Sequence, residues 1–188
     1  MGDKFFVIGV VVLAIGVLVF AGLYNSRNSG SNVSSLDSGA AGILDNNVNS
    51  GQSNKGNKAP DFTLQDLDGG TITLSQFAGE KPVILDFFAT WCPNCQRDMP
   101  KLNKWYEEKY RDQVEVIGIN LRESRGKVES FIKSRGISFP IVLDPNGQVS
   151  QKYGVRYTNT HFLIDKEGNL VREIPGDISE AHIRSLIQ

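Results

Sequence analysis

Apolar positions along this chain fall into three regimes. Phe5 to Tyr24 is almost wholly apolar and uncharged. From Asn25 to Lys58 no apolar period is sustained, and Asn, Ser and Gly dominate. From Ala59 onward, strand-like runs alternate with helix-periodic ones. Phe62, Leu64 and Leu67, then Ile72 and Leu74, flank Asp68-Gly69-Gly70 and predict a β-hairpin. Leu74 to Gly79 predicts a short helical turn. Val83 to Phe88 lacks alternation and predicts a strand buried on both faces. Gln96 to about Tyr110 predicts a helix that turns Met99, Leu102 and Tyr106 to the sheet, with a kink at Pro100. Val114 to Asn120 is a second strand of this layer. Arg125 to Arg135 is an amphipathic helix, with Val128, Phe131 and Ile132 inward and Gly136 as its stop. Phe139 to Asp144 is a strand closed by the turn Asp144-Pro145-Asn146-Gly147, and Gln148 to Tyr153 is a short helix. His161 to Asp165 and Leu170 to Ile174 form an antiparallel hairpin. Asp177-x-x-Glu180 has the form of a capping box for a last helix. The sum is an α/β domain, a mixed central sheet flanked by helices, with an N-terminal hairpin.

The first two regimes set the context. About 20 residues at about 1.5 Å each reach across one bilayer core, so residues 1–24 are expected to be a single-pass transmembrane anchor. Val19-Phe20-Ala21 offers a weak cleavage site as the alternative. Residues 25–58 are expected to be a flexible linker with a reach of roughly 30 Å. Residues 59–188 are expected to be the folded domain. A formal net charge of -1 and no basic stripe exclude nucleic acid as a partner.

Candidate chemistry concentrates in Trp91-Cys92-Pro93-Asn94-Cys95, which holds the only two cysteines of the chain. Two thiols cannot make a four-cysteine zinc site. His161 and His182 lack the spacing to complete a mixed one, and Gln96 follows Cys95 where covalent haem attachment needs histidine. No metal and no cofactor are expected. A C-x-x-C pair at a helix start points to dithiol–disulfide cycling, with a structural disulfide as the plain alternative. Cys92, at the helix mouth, is the expected nucleophile, because unbonded N–H groups there favour a thiolate. Pro93 fits the first helical turn, and Pro93-Asn94 should tune the potential. Cys95, one turn in, is the expected resolving thiol and needs a proton acceptor. Asp86, mid-strand among apolar residues, is the favoured acceptor, and Asp98, one turn beyond Cys95, is the second. The plain alternatives are a hydrogen-bonded structural acid at Asp86 and a solvated helix charge at Asp98. Trp91 is expected to pack beside the pair and shield it, and His161 to be structural or on the surface.

Phe88-Ala89-Thr90-Trp91-Cys92-Pro93-Asn94-Cys95, the opening Ala59-Pro60-Asp61-Phe62 and the late Phe162-Leu163-Ile164-Asp165 resemble the thioredoxin superfamily. The likeness is to its membrane-anchored TlpA/ResA-like thiol–disulfide oxidoreductases. The segment from Val114 to Leu143 is similar to the strand–helix insertion of that branch. The resemblance implies a thioredoxin-like fold. It also implies a cell-membrane location with the catalytic domain on the extracytoplasmic side. Electrons would come from a membrane thiol reductase of CcdA/DsbD type, and the substrates would be protein disulfides such as those of apocytochrome c. Asp86 resembles the buried aspartate of thioredoxin, and Asp98 stands in the place of a glutamate common in the ResA-like branch. The family carries a cis-proline before the late hairpin, in a substrate-binding loop. Here Thr158-Asn159 occupies it, so the loop is expected to be either strained cis or trans and reshaped. Asn159→Pro is expected to raise activity if the loop is a degraded substrate site. A dithiol oxidase or isomerase, a thiol peroxidase and a weakened binding module remain the competing readings.

Overall fold

The computed structural model describes residues 57–188. The expected anchor (1–24) and nearly all of the expected linker (25–58) lie outside the described residues. Among the described residues, no helix is long and apolar enough to cross a membrane.

One seven-stranded mixed sheet organises the domain. Its strands are β1 (Thr63–Asp66), β2 (Thr71–Thr73), β3 (Val83–Phe88), β4 (Glu115–Leu121), β5 (Ile141–Asp144), β6 (Thr160–Ile164) and β7 (Leu170–Pro175). The order across the sheet is β2-β1-β5-β4-β3-β6-β7. β3, β4 and β5 run parallel, whereas β1 and β6 join antiparallel on either side. The helices are α1 (Pro93–Trp105), α2 (Arg125–Arg135), α3 (Gln148–Lys152) and α4 (Glu180–Leu186). The expected hairpin forms, with Thr63 opposite Thr73, and a 3-10 turn follows at Leu74–Phe77. The chain is already tied down at Asn57, whose carbonyl accepts the Leu170 N–H at 2.8 Å.

β3 is buried along its whole length. Side chains alternate across a strand, so Ile84 and Phe88 pack on one face with Cys95, Met99 and Leu102 of α1. Val83, Leu85 and Phe87 pack on the other face with Ile117, Ile119 and Phe162. Asp86 shares the Ile84/Phe88 face and therefore points into the layer beneath α1.

Two local expectations are corrected. The last helix does not begin with a box from Asp177 to Glu180. Its cap is Ser179, whose N–H donates to His182 Nδ1 at 3.2 Å. Asp177 instead pairs with Arg97. The helix over Gln96–Tyr110 changes character at Tyr106, where Tyr106–Tyr110 forms one π-helical turn. There the Tyr106 hydroxyl donates to the buried Glu115 at 2.9 Å. α1 itself continues through Pro100.

Gly118 lies opposite Asp86 in the β3–β4 register. A methyl group at Gly118 would meet Ile141 Cδ1 at 2.5 Å, Phe139 Cε2 at 3.2 Å and Phe88 Cε1 at 3.3 Å. Gly118→Ala is expected to lower stability by about 1–3 kcal/mol in chemical denaturation. Unchanged stability would show that the layer beside the cysteines is looser than described.

Candidate active site

The end of β3 delivers Ala89-Thr90-Trp91 into a turn, and α1 starts at once behind it. Cys92 is the N-cap of α1, and its sulfur accepts the Cys95 N–H at 3.3 Å. The turn is pinned by Glu123. Its carboxylate accepts the Thr90 N–H at 2.6 Å, the Thr90 hydroxyl at 2.7 Å and the Asn120 amide at 2.9 Å, and it pairs with Lys127 at 2.6 Å. Burial would raise the Glu123 pKa, but Lys127, Thr90 and Asn120 together hold it down to about 2. Glu123 belongs to no motif and stands 28 or more residues from the cysteines in sequence, so only the β4–α2 connection reveals it. From the other side, Gln96 donates its amide to the Thr90 carbonyl at 2.8 Å.

The two thiols are unequal. Both are buried and unbridged. Burial pushes Cys92 up. Bonds from the Cys95 thiol, Thr158 and the N–H groups of Cys95 and Asn94 outweigh that push and hold its pKa below the ordinary thiol value. Cys95 has no exposed surface, and burial together with its bond to Cys92 raises its pKa strongly.

Beneath the pair lies a cluster of three titratable groups. Asp86 has no exposed surface, and among the described residues neither of its oxygens has a hydrogen-bond partner. Burial, then the neighbouring Asp98, push its pKa up to about 8. Asp98 is only 2 % exposed, so the solvated helix charge is ruled out. Its Oδ2 accepts the Ile178 N–H at 3.0 Å, and burial raises its pKa against that bond and the nearby His161. His161 is 1 % exposed, opposite Asp86 in the β3–β6 register. Its Nε2 is 3.4 Å from Asp86 and 3.8 Å from Asp98. Burial lowers its pKa to about 4. A surface role for His161 is therefore excluded.

The remaining candidates split. Thr158 reaches Cys92. Asn94 accepts from Arg97 at 3.1 Å, and Pro93 occupies the first turn of α1. Trp91, expected to pack beside the pair, is largely in solvent. It is 63 % exposed and forms one wall of an 800 Å³ groove with Arg122, Lys127, Arg156, Tyr157 and Thr158. Asn159 is buried and adopts a φ of 60°, the left-handed region. Its N–H donates to the Phe87 carbonyl at 2.9 Å and its carbonyl accepts from Gly176 at 2.8 Å. Its side-chain amide donates to Asp177 at 3.0 Å. A proline ring fixes φ near -65° and removes that N–H, so the expected benefit of Asn159→Pro does not fit this backbone. Among the described residues, no group of three or more His, Cys, Asp or Glu could hold a metal ion.

Residues 55–173 match the AhpC/TSA family. The chain is similar to the thiol–disulfide oxidoreductase ResA of Geobacillus thermodenitrificans, at 39% identity over 133 residues, covering 71% of this chain and 76% of that protein. It is likewise 39% identical over 129 residues to the ResA of Bacillus subtilis, covering 69% and 72%. Among solved structures, a thiol:disulfide interchange protein of the thioredoxin family from Chlorobium tepidum superposes with a TM-score of 0.62. It is 26% identical, with 71% of this chain and 94% of that one covered.

Asp86 gives a stability signature. Its folded pKa of about 8 stands above the ordinary 3.8, so the stability contributed by its neutral form is full below about pH 4 and is lost as pH rises through 8. His161, lowered from 6.5 to about 4, works oppositely: its contribution is full above pH 6.5 and is lost as pH falls through 4. Above pH 6.5 the His161 contribution is constant, and comparison with a chain lacking the Asp86 carboxyl isolates the Asp86 effect. Asp86→Asn is expected to gain stability relative to the unsubstituted chain between pH 6.5 and 8, read by urea unfolding. A constant difference across that window would contradict it. At the loop, Asn159→Gly is expected to keep the fold, whereas Asn159→Pro is expected to lower the melting temperature and the activity. A proline variant as stable as the unsubstituted chain would show that the loop does not need the left-handed backbone.

Proposed function

The chain belongs to the AhpC/TSA family as a ResA-like thiol–disulfide oxidoreductase, and from that premise we propose that it reduces disulfides of exported proteins through Cys92 and Cys95. The inequality of the two thiols carries the proposal. Cys92, lowered by bonds that favour its thiolate, attacks a substrate disulfide and forms a mixed disulfide. Cys95, kept protonated until needed, then attacks Cys92 and releases the reduced substrate. Asp86 is the proton acceptor closest in kind to this task. Trp91, Pro93, Asn94, Thr158 and Asn159 frame the side from which substrate arrives, along the groove beside Thr158.

The setting is part of the same proposal. The apolar run of residues 1–24 anchors the chain in the cell membrane, and residues 25–58 tether residues 59–188 on the extracytoplasmic side. Apocytochrome c is one substrate class of the right kind. A membrane thiol reductase of CcdA/DsbD type would return the pair to the dithiol. The Thr90 hydroxyl, which a peroxidatic cysteine would want beside it, is committed to Glu123. That favours disulfide exchange over peroxide reduction.

With a disulfide-bonded protein substrate, Cys95→Ser in the full chain is expected to accumulate a mixed disulfide through Cys92, and Cys92→Ser to form none. Trapping through Cys95 instead would reverse the assignment. The pair's reduction potential decides direction: a reductant is expected near roughly -270 mV, whereas a value near roughly -120 mV would make the protein an oxidant.

A further inference from the structure

We propose that His161 is a positioning residue for the resolving step, acting through Asp86: it holds the proton that Asp86 hands on when Cys95 is deprotonated. The inference rests on the dithiol-exchange reading and adds the route by which Cys95 loses its proton.

His161, Asp86 and Asp98 bring their polar atoms together in a buried layer that also holds Cys95. His161 Nδ1 lies 3.1 Å from the Gly176 carbonyl. A carbonyl only accepts, so Nδ1 carries the hydrogen and Nε2 is left as a lone pair. That lone pair faces Asp86 Oδ1 at 3.4 Å and Asp98 Oδ2 at 3.8 Å. Asp86 meets no donor among the described residues. A buried carboxyl without donors keeps its proton, and a neutral carboxyl needs an acceptor, which His161 Nε2 supplies. Strand pairing fixes this arrangement, because Asp86 and His161 are direct register partners and point to the same face. Asp98 is held in place by the Ile178 N–H.

A protonated Asp86 cannot simply take a second proton. It can take one on one oxygen while releasing its own from the other. In the step, the Cys95 S–H bond breaks and an O–H bond forms on Asp86. The other Asp86 O–H breaks, and an N–H bond forms at His161 Nε2. Asp86 stays neutral throughout. The imidazolium is faced by the Asp98 carboxylate and the Gly176 carbonyl. The Cys95 thiolate forms the bond to Cys92 sulfur, the bond from Cys92 to the substrate sulfur breaks, and the electron pair leaves on the substrate. The substrate takes up one proton as His161 returns to neutral, so one proton leaves Cys95 and one reaches the substrate thiol.

Other charges face this cluster. Asp177, on the loop after β7, favours the imidazolium, as Asp98 does. His182 of α4 is near enough for His161 to lower its pKa, so a charged His182 would oppose the imidazolium. Arg97 and Lys101 of α1 lie on the outer side, Arg97 engaged by Asp177 and Lys101 acting on Asp98.

The test uses the reduced full chain in detergent, mixed with an aromatic disulfide whose thiol is coloured. A first phase of colour reports attack by Cys92, and a second reports attack by Cys95. His161→Asn keeps a donor for Gly176 and supplies no base. It is expected to leave the first phase unchanged and slow the second at least about 10-fold at pH 7. The second phase should also gain a pH dependence of nearly tenfold per unit above pH 6, because Cys95 must then ionise directly. An unchanged second phase, or one slowed without that change of pH profile, would overturn the relay. Absence of the first phase in the unsubstituted chain would instead sink the exchange reading itself. If His161→Asn does not fold, imidazole nitrogen resonances of the unsubstituted chain decide. A hydrogen on Nδ1 at neutral pH is expected, and one on Nε2 would overturn the proposal.

Discussion

Desolvation of the layer between β3 and α1 is the constraint on which the rest of the site depends. Ile84, Phe88, Met99 and Leu102 exclude water there, and Asp86, Cys95 and His161 are closed into the same space. Ionising a group in such a layer is costly unless a partner compensates. Each of the three is therefore driven toward its neutral form. Cys92 escapes the rule because it sits at the open end of α1, where the N–H groups of Asn94 and Cys95 and the Thr158 side chain outweigh burial. One helix thus presents one ready nucleophile and one guarded thiol.

Guarding Cys95 is useful only if its proton has somewhere to go, and the sheet supplies the route. The register that sets His161 opposite Asp86 also sets Gly118 on the other side, where the lack of a side chain leaves room for Phe88, Phe139 and Ile141. Around the mouth, polar ties hold the moving parts. Glu123 grips the Thr90 turn, and Asp177 links Arg97 of α1 to the Asn159 loop. Arg97 and Asp177 are exposed, so the value of their pairing lies in alignment more than in stability.

Much of this was legible in the residues. An unbroken apolar run announced β3, and C-x-x-C after it announced the helix start and the chemistry. Asp86 could be read because a carboxylate inside such a run has no other place than the core. What escaped depends on contacts across long stretches of chain. Asp98 read either as a second acceptor or as a solvated helix charge, and only its burial and the Ile178 N–H, 80 residues away, decide between them. His161 opens a strand that reads equally well with a solvated first residue, and only pairing with β3 places it. Glu123 follows the end of β4 with no motif of its own. Trp91 looked like a shield because aromatic residues usually pack, but its ring is largely exposed beside the groove. At Asn159 a missing proline suggested a damaged loop. The backbone instead uses the tolerance of asparagine for positive φ and engages its N–H, which proline lacks.

The central claim is that one fold splits two thiols into a nucleophile and a guarded partner. Alkylation of the reduced chain across pH, with the label mapped separately to each cysteine, tests it most directly. Cys92 is expected to label with an apparent pKa below the free-thiol value of about 8.5, and Cys95 to stay unlabelled until far above it. Labelling of both cysteines along a single titration curve, or of Cys95 first, would contradict the account.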